Sequence, residues 1–163
     1  MAVQTTLRAA AQGERAGVVR LVLDSYAEFE PFLASSNWAQ MRANLAAVPS
    51  SGEGDLLIAE VGDEVVGTVT YLAPGPRSYD RVPFDWALIR VLAVLPAYRG
   101  QGIGRMLTRE CLRRAQQDGA ATVGLHTAEL FTAARAMYEQ MGFTAQRAFT
   151  HLGITFWIYA LHL

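Results

Sequence analysis

Lysine is absent from the 163 residues, and all 14 basic side chains are arginines. That excludes Schiff-base chemistry and the lysine-dependent phosphate loop of Walker A type. Cysteine occurs once, as Cys111, so neither an intramolecular disulfide nor a cysteine-based metal cluster can form. Long apolar runs are missing as well. The longest uncharged stretch, residues 148–163, is broken by His151 and Gly153 and falls short of the roughly 18 residues that a membrane span requires. Arg8, Glu14, Arg15, Arg20 and Asp24 interrupt the opening residues, so no secretory leader is expected. Nor is there an excess of one charge. Fourteen basic residues against 15 acidic ones give a net charge of -1 and no polyanion-binding surface. The expectation is a soluble cytoplasmic protein with neither nucleic acid nor membrane as a partner.

What is present describes a packed domain. Apolar residues make up 52% and charged residues 18%, which argues against long disorder. The length is that of one domain, expected to span residues 1–163. Residues 5–10 read as a strand. Gly13 and Glu14 open a helix with Val18, Val22, Tyr26 and Phe29 at helical spacing, which Pro31 should end. Ser35, Ser36 and Asn37 can cap a second helix carrying Trp38, Met41 and Leu45, with residues 49–52 as a turn. Two β-branched runs, 56–61 and 65–72, flank Gly62, Asp63 and Glu64 and predict a hairpin. Residues 74–83 form a loop rich in proline, glycine and arginine. The nearly continuous apolar run 87–95 predicts a buried central strand. Helices are predicted over 103–117 and 130–141, stopped by Gly119 and Gly142. Strands are predicted over 121–126, 143–149 and 154–163. The order β-α-α-β-β-β-α-β-α-β-β gives an α/β (α+β) fold, a mixed sheet of about seven strands flanked by four helices. No repeat or interdomain linker interrupts it.

The chemistry concentrates between Arg90 and Arg105, RVLAVLPAYRGQGIGR. A buried strand ends at Pro96, and a glycine-rich loop feeds directly into a helix. Glycines allow close backbone approach and positive φ. The unpaired amides of a helix start carry partial positive charge, to which Arg99 and Arg105 would add full charges. Together they predict a phosphate cradle. The dinucleotide fingerprint fails, because Arg105 stands where its third glycine belongs.

Arg99-Gly100-Gln101-Gly102-Ile103-Gly104 resembles the core motif of the GNAT superfamily of N-acetyltransferases, Arg/Gln-x-x-Gly-x-Gly/Ala. The preceding VLPAYRG resembles the way that family leaves its fourth strand. Downstream, ARAMYEQMGF (134–143) is similar to the family's Ala-x-x-Leu-Tyr-Glu-x-x-Gly-Phe helix end. The resemblance implies the GNAT fold and acetyl-CoA as acyl-donor substrate, with no metal. It implies that the backbone of Leu92, Ala93 and Val94 meets the pantetheine and thioester. The amides of Arg99, Gly100, Gln101, Gly102, Ile103, Gly104 and Arg105 would hold the pyrophosphate. The strands around residues 87–95 and 121–126 should splay apart to admit the pantetheine. Tyr138 falls where the family's tyrosine protonates the departing thiolate, a proton the reaction needs.

Two positions depart from the pattern. Where many relatives have a cofactor-contacting asparagine the chain has Phe131, which is expected to pack on the pantetheine arm. Where some have a glutamate within the fourth strand the chain has Ala87, Leu88, Ile89, Arg90 and Val91, with no acid. The base is therefore open among Glu28, Glu30, Asp80, Asp85, His126, Glu129 and a water chain. His151 and His162 have no partner at ligand spacing, so no zinc site is expected. Cys111 reads as core rather than nucleophile. No G-x-S-x-G elbow occurs.

The acceptor side should contain Tyr26, Phe29, Phe32, Trp38 and the loop around Tyr79, Phe84 and Trp86. Arg77 and Arg81 are available there for a carboxylate. The expected function is direct N-acetylation of a primary amine on a small molecule or peptide in a ternary complex, because no activated nucleophile is visible. A coenzyme A-binding sensor without catalysis is the alternative from another class. A third reading is an acyltransferase with another acyl-CoA or a hydroxyl acceptor. A homodimer is also an expectation, through the apolar terminal strand 154–163 if it lies at a sheet edge.

Overall fold

The computed structural model describes residues 4–163; residues 1–3, where the expected domain begins, lie outside the described residues. The chain opens with strand β1 (Thr5–Ala9), helices α1 (Arg15–Tyr26) and α2 (Ser35–Ser50), and strands β2 (Asp55–Val61) and β3 (Glu64–Leu72). After the irregular residues 73–86 come β4 (Ala87–Val94), α3 (Ile103–Gln117), β5 (Thr122–Ala128), α4 (Thr132–Gln140), β6 (Thr144–His151) and β7 (Ile154–His162). All seven strands form one sheet in the order β1-β2-β3-β4-β5-β7-β6. The β4–β5 pair is parallel and the other pairs are antiparallel. This is the mixed seven-stranded sheet that the sequence predicts, with β4 at its centre. No described helix is long and apolar enough to cross a membrane.

Strand alternation explains why the central runs are apolar on both faces. In β2, Leu57 and Ala59 face α3, which contributes Ile103, Leu107, Cys111 and Ala115. Leu56 and Ile58 face the other way, onto Val18, Leu21 and Val22 of α1. Gly67 of β3 lets α3 sit close, because a Cβ there would lie 3.1 Å from Ile103 Cγ2 and 3.2 Å from Leu107 Cδ1. Leu107 is fully buried. Leu107→Ala should therefore destabilise the fold by about 2–5 kcal/mol, read as a lowered urea midpoint at unchanged slope.

Several local expectations are corrected. The α-helix of α1 ends at Tyr26, and the chain continues as a 3-10 turn over Ala27–Phe32 with Pro31 inside it. Proline disfavours the α conformation of the residue before it but tolerates a short, tighter turn. No side chain caps α2, whose N-cap is Ala34. The expected turn at residues 49–52 begins later, because α2 runs through Pro49 to Ser50. Arg15 Nη1 donates to the Pro49 carbonyl at 2.7 Å and satisfies one of the free carbonyls of that helix end. Finally, β7 is not an edge. It lies between β5 and β6, and its apolar residues serve the inside of the sheet.

Candidate active site

The site is an opening in the sheet itself. The parallel strands β4 and β5 pair only at Ala87 with Val123 and Leu88 with Gly124. Beyond those pairs β4 runs on to Val94 and β5 to Ala128 without bonding to each other, the expected splay. Val91 sits at the divergence with φ 52°, a strained value for a β-branched residue. The β3–β4 register also shifts there, between Thr68 and Thr70. The Leu92 carbonyl, which no β5 amide takes, accepts the Tyr26 hydroxyl at 2.7 Å.

Two cavities flank this opening. The first, of about 490 Å³, is lined by Leu92, Ala93 and Val94 of β4 and by the loop and helix start Arg99, Gly100, Gly102, Ile103, Gly104 and Arg105. Phe131 and the first turn of α4 close its other side. Every residue expected to meet the acyl donor therefore borders it except Gln101, which does not line the cavity. Gly100 and Gly102 have φ of 76° and 81°, and Gly102 is the N-cap of α3. Nothing lies within 4 Å of where their Cβ atoms would be, so the backbone is open on that side. The Met106 amide bonds to the Gly102 carbonyl at 2.9 Å, so the amides of Ile103, Gly104 and Arg105 precede the helical ladder. Free amides at a helix start can receive an anion.

The two arginines of the loop do not point freely into it. Arg99 is bound to Glu28 at 2.8 Å, to the Ser25 carbonyl at 2.7 Å and to the Val94 carbonyl at 3.1 Å. Its guanidinium ties the loop to the end of α1. Arg105 Nη2 donates to Gln140 Oε1 at 2.7 Å. Phe131 packs on Tyr26 and Phe29, with ring centroids 5.3 and 4.8 Å away.

The second cavity, of about 300 Å³, meets the first at Tyr26, Leu92, Phe131 and Ala134, which line both. Tyr138 lines it, buried and packed edge-on against Phe143 at 5.5 Å. Its hydroxyl has no hydrogen-bond partner among the described residues. Burial pushes the phenol well above its ordinary pKa. The rest of the wall includes apolar Met41, Leu125, Phe149 and Phe156, basic Arg81, Arg90, His126 and His151, and neutral polar Asn44, Tyr79 and Thr127.

None of the candidate bases with a carboxylate lines the second cavity. Glu28 is paired with Arg99, and Glu129 accepts the Thr155 amide at 3.2 Å. His126 does line it. Its Nδ1 shares a hydrogen bond with the Tyr79 hydroxyl at 2.5 Å. Burial first, then Arg90, His151 and Arg81, push its pKa down to about 3, so the ring is neutral. The sign of the stability effect follows. An unfolded histidine takes a proton near pH 6.5 that the folded one refuses, so stability should fall as pH drops from about 6.5 towards 3. Unfolding midpoints measured between pH 7 and 5 should decline, and His126→Gln should flatten that decline.

Arg77 was a candidate for an acceptor carboxylate, but it holds its own loop together. It donates to the Trp86 and Pro83 carbonyls at 2.8 and 2.7 Å. The sequence missed Arg90 as a site residue. It stands out only in hindsight, as the one charge inside the apolar run of β4.

Residues 9–143 match the model of the Acetyltransferase (GNAT) family. N-acetyltransferase 8F1 of Rattus norvegicus is 34% identical over 129 residues, covering 73% of this chain and 57% of that protein. The chain spans about half the length of the mammalian relatives it matches. Two solved structures share the fold. The PaiA N-acetyltransferase from Thermoplasma acidophilum, in complex with coenzyme A, has a TM-score of 0.72 at 13% identity and covers 98% of this chain and 99% of its own. A GNAT family acetyltransferase from Brucella melitensis, in complex with acetyl-CoA, has a TM-score of 0.64 at 21% identity, covering 98% and 88%.

Proposed function

Because the chain belongs to the GNAT acetyltransferase family, we propose that it is an acetyl-CoA-dependent N-acetyltransferase that acts on a small amine by direct transfer. The observation that carries this reading is the meeting of two cavities at a single opening between β4 and β5. One is bordered by the glycine cradle and the other by Tyr138. A donor and an acceptor can be held at once, one on each side of the Tyr26–Leu92–Phe131–Ala134 wall. No covalent enzyme intermediate is needed, and Cys111 is in the core, fully buried, with its thiol pushed up to about 12 by burial.

The amides from Ile103 to Arg105 hold the donor's pyrophosphate by backbone hydrogen bonds and the partial charge of the α3 start. The opening beside Leu92, Ala93 and Val94 receives the pantetheine arm, and Phe131 adds apolar contact. As the amine nitrogen bonds to the acetyl carbon and the carbon–sulfur bond breaks, the Tyr138 hydroxyl donates its proton to the thiolate, and the proton shed by the nitrogen passes through water to restore the phenol. Arg81 and Arg90 disfavour a second positive charge beside them, so an acceptor ammonium loses its proton more readily in this cavity. That eases the requirement for a carboxylate base.

The test is release of coenzyme A thiol from acetyl-CoA across polyamines, amino acids, aminoglycosides, arylalkylamines and peptides, with a no-acceptor control. Release above control with one class is expected. Tight acetyl-CoA binding with no release from any acceptor would instead support the sensor reading.

A further inference from the structure

The second cavity has a charge pattern that neither the fold nor the transfer step requires. Two arginines and two histidines line it, and no aspartate or glutamate does. Most half-buried arginines of this protein are spoken for. Arg114 pairs with Asp55 and Glu110, Arg105 bonds to Gln140, Arg15 to a helix-end carbonyl, Arg77 to its loop, and Arg135 to the Tyr159 hydroxyl at 3.4 Å. Arg90 is different. It is half-buried on the central strand, yet it has neither an ion pair nor a hydrogen bond among the described residues. Its guanidinium lies over the face of Tyr79, with Cζ 4.5 Å from the ring centroid. Its guanidinium nitrogens keep contact with solvent in the cavity, so the charge is tolerated and its donors are free for a ligand.

Arg90 is also held ready. Tyr79, on whose ring the guanidinium stacks, is anchored through its hydroxyl to His126 Nδ1. Since His126 is neutral, that pair fixes the position of the guanidinium without cancelling its charge. Arg81 repeats the sign on the exposed side of the cavity, stacked over Phe149 at 4.4 Å. A planar guanidinium with free donors matches a carboxylate in fork geometry. Met41, Leu125, Phe149 and Phe156 give the cavity an apolar wall that suits an apolar side chain, with Asn44 and Thr127 as neutral polar groups beside it.

Resting on the N-acetyltransferase reading above, we propose that the acceptor is an apolar amino acid with a free carboxylate, and that Arg90 is the residue that binds this carboxylate. The cavity's volume of about 300 Å³ is at the small end for ligand sites, in keeping with one amino acid rather than a folded protein. Once the carboxylate pairs with Arg90 the two charges largely offset each other, and Arg81 remains as the positive charge that favours the neutral amine.

The experiment compares leucine, methionine and phenylalanine with their amides as acceptors, by kcat/KM for coenzyme A release. In parallel, calorimetry measures binding of N-acetylphenylalanine and its amide to the coenzyme A-loaded protein. A preference for acid over amide of roughly 10- to 100-fold is expected in both, the range of charge-assisted hydrogen bonds. In Arg90→Gln the preference should shrink to about threefold or less, in the same terms. The wild-type comparison decides whether the cavity takes a carboxylate even if that variant fails to fold, and Arg81→Gln, at an exposed position, should leave the preference largely intact if Arg90 holds it. Equal use of acids and amides with clear release overturns the carboxylate site and leaves the transferase standing. Binding that prefers the acid, with no release from any acceptor, keeps the site and overturns the transferase. Equal binding and no release overturn both.

Discussion

Tyr138→Phe is expected to lower kcat by about 10²- to 10⁴-fold, the usual contribution of a general acid or base. The affinity for acetyl-CoA, measured by calorimetry, should stay within about twofold of wild type, because the lost interaction belongs to the transition state rather than to donor binding. Phenylalanine keeps the ring that packs on Phe143, and the hydroxyl it removes has no protein partner to leave orphaned. The unfolding midpoint should therefore barely move, which separates this outcome from a packing defect. Burial raises the phenol's pKa and keeps it protonated at neutral pH. A raised pKa also makes it a weaker acid, but the departing thiolate meets the same desolvation. Donor and acceptor of the proton thus shift together, and the transfer remains feasible. An unchanged kcat would mean that water supplies the proton and that Tyr138 is a core aromatic.

How much of this was legible in the sequence differs from feature to feature, for physical reasons. The α3 helix was read to the residue, because a glycine loop, an apolar stripe from Ile103 to Ala115 and a glycine stop are all local signals. The strand order was not readable from spacing. Only the resemblance gave the splay of β4 from β5, since nothing in residues 87–94 marks where pairing stops at Leu88. The role of β7 was missed for a related reason. An apolar strand looks the same in sequence whether its neighbours belong to its own sheet or to another chain. Pro49 was read as a break; it costs α2 one ladder bond, but the helix ends one residue later at Ser50, and Arg15 takes the free Pro49 carbonyl there. The arginines were the hardest to read. Arg77, Arg90 and Arg99 are equal as letters. Contacts across the fold alone reveal that Arg77 and Arg99 are bound within the protein while Arg90 is not.

The second large effect should come from Gly102→Val. Gly102 holds φ 81° at the start of α3, a conformation that costs an L-residue roughly 1–2 kcal/mol, with β-branched side chains worst placed. Nothing lies within 4 Å of a Cβ there and Gly102 borders the first cavity, so the new side chain is expected to crowd the donor rather than the protein. Each charge-assisted hydrogen bond lost there removes about 1.5–3 kcal/mol. The loss of one such bond predicts a Kd for acetyl-CoA raised about 10- to 100-fold, since each 1.4 kcal/mol is a factor of ten; the strain is the same with and without the donor and is read in the unfolding midpoint instead. A matched control isolates the site. Gly62, in the β2–β3 turn, has φ 62° and equally open surroundings, so Gly62→Val imposes similar strain away from both cavities. Both variants should lower the unfolding midpoint, but only Gly102→Val should weaken acetyl-CoA. Equal affinities in the two would mean that the glycine loop shapes the fold without holding the donor, and the pyrophosphate would have to be sought elsewhere along the first cavity.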